Sequence, residues 1–200
     1  MTHTTASPVS ADRRASLRRL ALWSGAALLP LTQTGCAGPQ VEDLARERPL
    51  LDLREYFNGR VDAWGIFTDR FGQVRRRFTV RIDASWQGDQ GVLDEHFDYS
   101  DGERQRRIWR LQALPGGRYI GRADDVVGQA EGQTSGNALR WRYTMALPIE
   151  GRVWEVAFDD WMYLMDREVL LNRARMSKLG VTLGEVTLSF RRASPLPGRP

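Results

Sequence analysis

The chain has 200 residues, 42% of them hydrophobic and seven of them tryptophan, with a formal net charge of +4. That is one ordinary domain plus an appendage, apolar enough for a real core and too evenly patterned for a disordered chain. Removing residues 1–35 leaves 25 basic against 24 acidic residues, a net charge of +1, which excludes the strong electrostatic footprint of a nucleic-acid binder.

The first 35 residues read as an export signal. Arg13, Arg14, Arg18 and Arg19 form a basic stretch, Leu20–Leu31 an apolar stretch, and small residues lead to Cys36. About twelve apolar residues are too few for a transmembrane helix. Thr34-Gly35-Cys36 resembles a lipobox, in which the cysteine is diacylated and becomes the first residue of the mature chain. Gln33 departs from the aliphatic residue usual there. Arg18-Arg19-Leu20 also loosely resembles a twin-arginine export motif. Cys36 is the lone cysteine; it forms no intramolecular disulfide, and its Gly/Pro-rich setting does not suit a catalytic thiol. The expectation is lipid attachment at Cys36, facing the periplasm. Ala37 is compatible with the outer membrane, by analogy with known lipoproteins.

Residues 36–49 read as the lipidated cysteine and a tether, and 193–200 as a disordered tail. Between them, residues 50–192 are expected to form one domain whose dominant period is two. Phe78, Val80, Ile82, Ala84 and Trp86 share a face; so do Trp141, Tyr143, Met145 and Leu147; so do Val186, Leu188 and Phe190. Turn signals fall at hairpin intervals, among them Ser100-Asp101-Gly102, Pro115-Gly116-Gly117 and Glu150-Gly151. The expectation is an all-β domain of eight to ten long strands, an antiparallel up-and-down meander closed into a barrel. Asp166–Gly180 is the one ambiguous stretch, and a strand with Leu170, Asn172, Ala174 and Met176 on one face is preferred to two helical turns.

Candidate chemistry is sparse. His96 is the one histidine beyond the leader and falls on an outward face, so neither a metal centre nor a Ser-His-Asp triad is expected, and no cofactor is implied. Asp94, Glu95, Asp98 and Asp101 lack calcium-loop spacing. Arg75–Arg77 and Arg104–Arg107 read as solvated strand faces. In "GQAEGQTSGNA", Gly128, Ala130 and Gly132 form a small-residue face that makes room for a bulky neighbour in preference to a ligand. Asp159-Asp160 interrupts a strand. Strict alternation buries Asp160 with Phe158 and Met162; a bulge instead turns Trp161 and Tyr163 inward and leaves both acids at the kink. The bulge is preferred. In its functional version, Asp160 with Arg173 or Arg175 fixes a polar headgroup at a cavity mouth.

The segments "LDLREYFNGRVDAWG", "NALRWRYTMALPIEGRVWEVAFDDWMYLMD" and "NRARMSKLGVTLGEVTLSF" resemble a bacterial lipoprotein family of unknown function, domain-of-unknown-function family three thousand eight hundred and thirty-three. The resemblance covers about Leu50 to Arg192. It carries no catalytic residues; it implies a lipobox cysteine, matched by Cys36, and gene neighbourhoods with cyclopropane-fatty-acid-synthase-like proteins, which point to membrane acyl chains. The Asn58-Gly59 and Trp64-Gly65 opening looks like a lipocalin start, where a Gly-x-Trp segment plugs one end, although the spacing differs. The resulting expectation is a lipocalin-like envelope lipoprotein binding a fatty acid or phospholipid acyl chain. The candidate ligand-binding residues are Trp86, Trp109, Trp141, Tyr143, Trp154, Asp160, Trp161, Met162 and Arg173. The alternatives are a filled barrel acting as an adaptor through its surface, and an enzyme modifying acyl chains with Asp160 or Glu95 as acid or base.

Overall fold

The computed structural model describes residues 38–149 and 151–193; the leader, Cys36 and the tail from residue 194 lie outside them. Ten antiparallel strands follow in chain order: β1 (Gly59–Asp69), β2 (Val74–Gln87), β3 (Gln90–Tyr99), β4 (Arg104–Leu114), β5 (Arg118–Arg122), β6 (Ala130–Ser135), β7 (Ala138–Ile149), β8 (Arg152–Leu164), β9 (Val169–Lys178) and β10 (Val181–Arg192). Each strand pairs with its chain neighbour, and β1 pairs with β10, so the sheet closes as an up-and-down barrel. Closure removes both sheet edges. The ambiguous stretch is β9.

Alternation does the sorting. Along β2, Val80, Ile82 and Ala84 are buried while Thr79, Arg81 and Asp83 are exposed. Along β8, Val156, Phe158 and Asp160 are buried in the same rhythm. The register of β8 runs unbroken against both β7 and β9 through Asp159 and Asp160. The preferred bulge is therefore absent. Both neighbouring ladders saturate the β8 backbone, and an extra residue would break two sets of bonds at once.

Helical structure among the described residues is limited to a 3-10 turn at Val41–Leu44 and α1 (Leu53–Tyr56). Asp52 caps α1, its side chain accepting from the Arg54 amide. α1 and Phe57 plug the barrel end at which β1 starts: Leu53, Tyr56 and Phe57 are buried, the Tyr56 hydroxyl donates to the Glu168 carbonyl and the Trp86 indole N–H to the Phe57 carbonyl. Trp64, the lipocalin-style plug expected from sequence, instead stands half exposed on the outer wall. Its neighbours Ala63 and Gly65 hold the inner face, and alternation sends Trp64 out. The expected tether is partly docked, with Val41 buried, and just after it the Leu51 amide bonds to the Gly136 carbonyl.

Ten strands enclose more room than eight, and small residues decide how it is shared. A Cβ added to Gly121 or Gly132 would collide with the Trp141 ring, so two glycines on β5 and β6 make the space that this indole fills. Gly132 of the expected small-residue face thus serves a bulky neighbour, whereas Gly128 faces open space. The core has a large cluster at the plugged end and a smaller one, Met145, Val156, Phe158 and Ala174, further towards the open end.

Candidate functional site

A cavity of about 420 Å³ runs inside the barrel, from Leu53 and Phe57 at the plug to Phe67, Arg76 and Ile149 at the opposite rim. Its volume lies in the range of small-molecule sites, about 300–1,000 Å³. Its walls are mostly apolar, with Leu93, Phe97, Leu139 and Leu188 among them, and are interrupted by a few polar groups.

Three of those polar groups, Glu95, Arg107 and Asp160, come from β3, β4 and β8, and Asp125 of the β5–β6 loop joins them through Arg107. Glu95 of β3 and Arg107 of β4 sit opposite each other in register. β5 and β6 are short, with five and six residues, and the loop between them continues the wall by lying along β7: the Val127 amide bonds to the Thr144 carbonyl and the Ala146 amide to the Asp125 carbonyl. That path brings Asp125 to Arg107, whose Nε donates to both carboxylate oxygens at 3.1 and 2.9 Å. Glu95 lies 3.8 Å from the same guanidinium. One cation thus faces two acids, and Asp160 of β8 adds a third.

Asp160 is only 6% exposed. Its Oδ2 accepts from the Tyr143 hydroxyl at 3.4 Å, and its buried Oδ1 has no protein partner. Burial pushes its pKa up to about 8, with the neighbouring Asp159 and Glu95 charges adding to the shift and Tyr143 and Arg107 opposing it. Burial likewise pushes Glu95 up to about 7 against the pull of Arg107, and holds the Tyr143 hydroxyl well above its ordinary range. Arg107 on the cavity wall is thus hydrogen-bonded to Asp125, and the two acids Glu95 and Asp160 are pushed up by burial so that they retain protons readily. An unpartnered polar atom in an apolar cavity costs free energy until something satisfies it.

Aromatic rings frame this cluster. Trp109 meets Trp141 and Tyr143 edge-on at 5.8 and 5.4 Å, and Tyr143 stacks on Phe158 at 4.9 Å. Trp109, Trp141, Tyr143, Asp160 and Met162 thus line the cavity together, as the sequence suggests. Trp86 lies at the plug instead, held by Phe57 and Tyr119. Trp154 is on the inner-facing register but at the rim, over one-third exposed, with the Lys178 ammonium 4.3 Å above its ring.

Two expected residues are on the wrong side of the wall. Trp161 follows the buried Asp160 and so points outward, stacked on Tyr163 and covered by Arg140. Arg173 also points outward and pairs with Glu185 at 2.7 Å; Arg175 is exposed on the same outward face. Neither arginine meets Asp160. The arginines that face the interior are Arg76 at the rim and Arg107 deeper in, both of which the sequence reading placed with solvated runs. For Arg107 the signal is the alternation itself: Trp109, Leu111 and Ala113 hold the inner face, and Arg107 is the next residue on it. His96 faces outward, 3.3 Å from Asp94, and Asp94, Asp98 and Asp101 are engaged by Arg106, Arg104 and Arg76.

The fold and its interior define a closed, lipocalin-like up-and-down barrel of ten strands, with a cavity in the size range of small-molecule sites. The chain belongs to the family described as "Protein of unknown function (DUF3833)", whose model matches residues 31–192. No curated protein matches it. Among solved structures it is similar to a protein of unknown function from the DUF3598 family of Nostoc punctiforme, with a TM-score of 0.51 and 14% identity over 78% of this chain. This chain spans 53% of that protein's length. It is also similar to the S-type phycobiliprotein lyase CPES from Guillardia theta, with a TM-score of 0.52 and 11% identity over 78% of this chain and 100% of the lyase. At these identities the likeness establishes the fold.

Proposed function

We propose that the protein is a cell-envelope lipoprotein, anchored through acylated Cys36 and facing the periplasm, whose barrel takes up the acyl chain of a fatty acid or phospholipid. The observation that carries the binding half is the largely apolar cavity of about 420 Å³, plugged at one end and reaching the rim at the other. The leader pattern before Cys36 supports the envelope half. A chain entering tail-first passes Tyr143 and Asp160, and its headgroup stays near Arg76 and Lys178 at the rim. The interior acids disfavour a second anion at depth, so a carboxylate or phosphate is held at the mouth.

Native mass spectrometry of the membrane-purified protein, followed by lipid extraction, tests this reading. A stoichiometric acyl lipid is expected, lost in Trp141→Ala and kept in Trp161→Ala, because only the first ring lines the cavity. A protein with no non-covalently bound lipid, and no thermal shift across a fatty-acid and phospholipid panel, would overturn it.

Glu95 and Asp160 favour a second reading, an enzyme that moves protons on the bound chain. Both retain a proton near neutral pH beside an apolar site. Chemical change in the extracted lipid that stops in Glu95→Gln or Asp160→Asn, with binding retained, would support that role. A lipid recovered unchanged from the active barrel would count against it.

A further inference from the structure

The exposed apolar residues of the barrel are unevenly placed. Of the thirteen large hydrophobic residues exposed among the described ones, seven lie on or beside three turns at the open end: Phe71 and Val74, Ile149, Val153 and Trp154, and Leu179 and Val181. The three most exposed, Leu179 at 95%, Phe71 at 73% and Val153 at 70%, come one from each of these turns. The turns belong to the β1–β2, β7–β8 and β9–β10 hairpins, which adjoin one another round the wall because β1 pairs with β10 and β8 with β9.

Leu179 adds an independent sign. It has a φ of 49°, the one positive value at a non-glycine residue among those described, and is followed by Gly180 with a φ of 79°. A tight hairpin turn of this hand favours asparagine or aspartate before glycine, and a bulky leucine there costs stability. The chain puts an apolar side chain into solvent at a position where a polar one would fold better.

Each tip also carries a cation, with Asp69 beside Arg70 already paired to Arg75 and Glu150 close to Arg152 in the chain. Arg70 lies beside Phe71, with its guanidinium 4.8 Å from the ring, and Lys178 lies over Trp154. Arg152 precedes Val153. Among the described residues, no ion pair is formed by Arg70, Arg152 or Lys178. Apolar tips for the acyl region and cations for phosphate groups are the two components of an interfacial membrane contact.

We propose that the open rim docks on an anionic lipid surface, with Phe71, Val153, Trp154 and Leu179 entering the interface and Arg70, Arg152 and Lys178 contacting lipid phosphates. A lipid anchor fixes only the distance from the bilayer; rim docking fixes the orientation, mouth towards the lipid. The inference stands on the rim residues and holds whether or not the cavity carries a lipid.

The test uses the full-length chain in vesicles of phosphatidylglycerol and phosphatidylethanolamine that contain spin-labelled lipids. An environment-sensitive fluorophore is placed on Leu179→Cys at the rim or on Met165→Cys at the plugged end; any label on Cys36 is common to both samples. Strong quenching is expected at position 179 and background quenching at 165. Quenching at 179 is lost in a Phe71→Asp/Val153→Asp background, and is weakened by salt or by Arg70→Gln, Arg152→Gln and Lys178→Gln together. All these positions except the half-buried Lys178 are exposed, so circular dichroism and melting should match the parent when Arg70→Gln and Arg152→Gln are made without Lys178→Gln. Equal quenching at both ends, or none at 179, overturns the proposal. So does self-quenching between labels at 179 that persists without vesicles, which would assign the surface to a second copy of the chain.

Discussion

Asp159 and Asp160 are adjacent in the chain and lie on opposite sides of the barrel wall. Asp159 accepts two hydrogen bonds from Arg140 on the outer face, both at 2.8 Å, while Asp160 points into the cavity with one oxygen unpartnered. One is an ordinary surface ion pair, worth little to stability. The other is a buried acid whose protonation state is coupled to folding.

The first prediction concerns that coupling. The folded pKa of Asp160 is about 8 against an ordinary 3.8. Because the folded value is raised, the contribution of the neutral form is fully present below about pH 4 and is lost as pH rises towards 8. Asp160→Asn removes this dependence. Its stability relative to the parent should be near equal at pH 4 and higher by on the order of a few kcal/mol at pH 9. Urea unfolding across pH 4–9 measures this; parallel curves for the two proteins would show that Asp160 is not buried as an acid.

Arg107 should be far more costly to remove than its neighbours in sequence. It compensates Asp125 and Glu95 inside the wall, whereas Arg106 pairs with Asp94 outside. Arg107→Met leaves the enclosed Glu95 and the partly exposed Asp125 without a cation, and a loss of about 3 kcal/mol is expected above pH 7. The loss shrinks at pH 5, where Glu95 holds its proton, and Glu95→Gln in the same chain recovers part of it. Arg106→Met should change stability by no more than about 1 kcal/mol. Equal effects at the two positions would contradict the interior placement.

These two arginines also show how far the sequence was legible. The period of two named the strands, and eight to ten turn-separated runs are a barrel's worth. The inner faces of β2, β7 and β10 follow from the same rule. What failed was departure from it. The doubled aspartate suggested a bulge because a buried acid is costly, but β8 is bonded on both sides and cannot yield cheaply. A bulge there implies an inward Trp161 and an Arg173 near Asp160, and the unbroken β8 register turns both residues outward. Arg107 was passed over because a run of arginines reads as surface, although alternation from Trp109 pointed to it. The loop carrying Asp125 was not legible: its contact with Arg107 depends on β5 and β6 being short, which only the closed barrel reveals.

The pairing of Trp141 with Gly132 is open to a direct test. A Cβ at Gly132 would strike the indole, so Gly132→Ala should destabilise by about 1–3 kcal/mol through overpacking. Trp141→Leu in the same chain relieves the clash. A double-mutant cycle should give a coupling of at least about 0.5 kcal/mol in the compensating direction. Additive effects would mean that the ring does not occupy the space above the glycine.

The last prediction joins the acid to the ligand. An acyl chain drawn past Asp160 removes the residual water around it, so the chain prefers the barrel in which Asp160 is neutral. With 1-dodecanol, which carries no charge of its own in this range, affinity should be level from pH 5 to 7 and then fall. Above the folded pKa of about 8 it falls by up to roughly tenfold per pH unit, because only the protonated fraction is competent. Glu95, pushed up to about 7, begins the decline earlier if the chain also covers it. Asp160→Asn should remove the decline above about pH 8, Glu95→Gln only the early part, and the double variant should hold its affinity to pH 9. Quenching of Trp109 and Trp141 fluorescence provides the readout, since both rings line the cavity. A parent affinity that stays flat to pH 9, with binding otherwise intact, would place the chain elsewhere in the barrel and leave Asp160 to serve the fold alone.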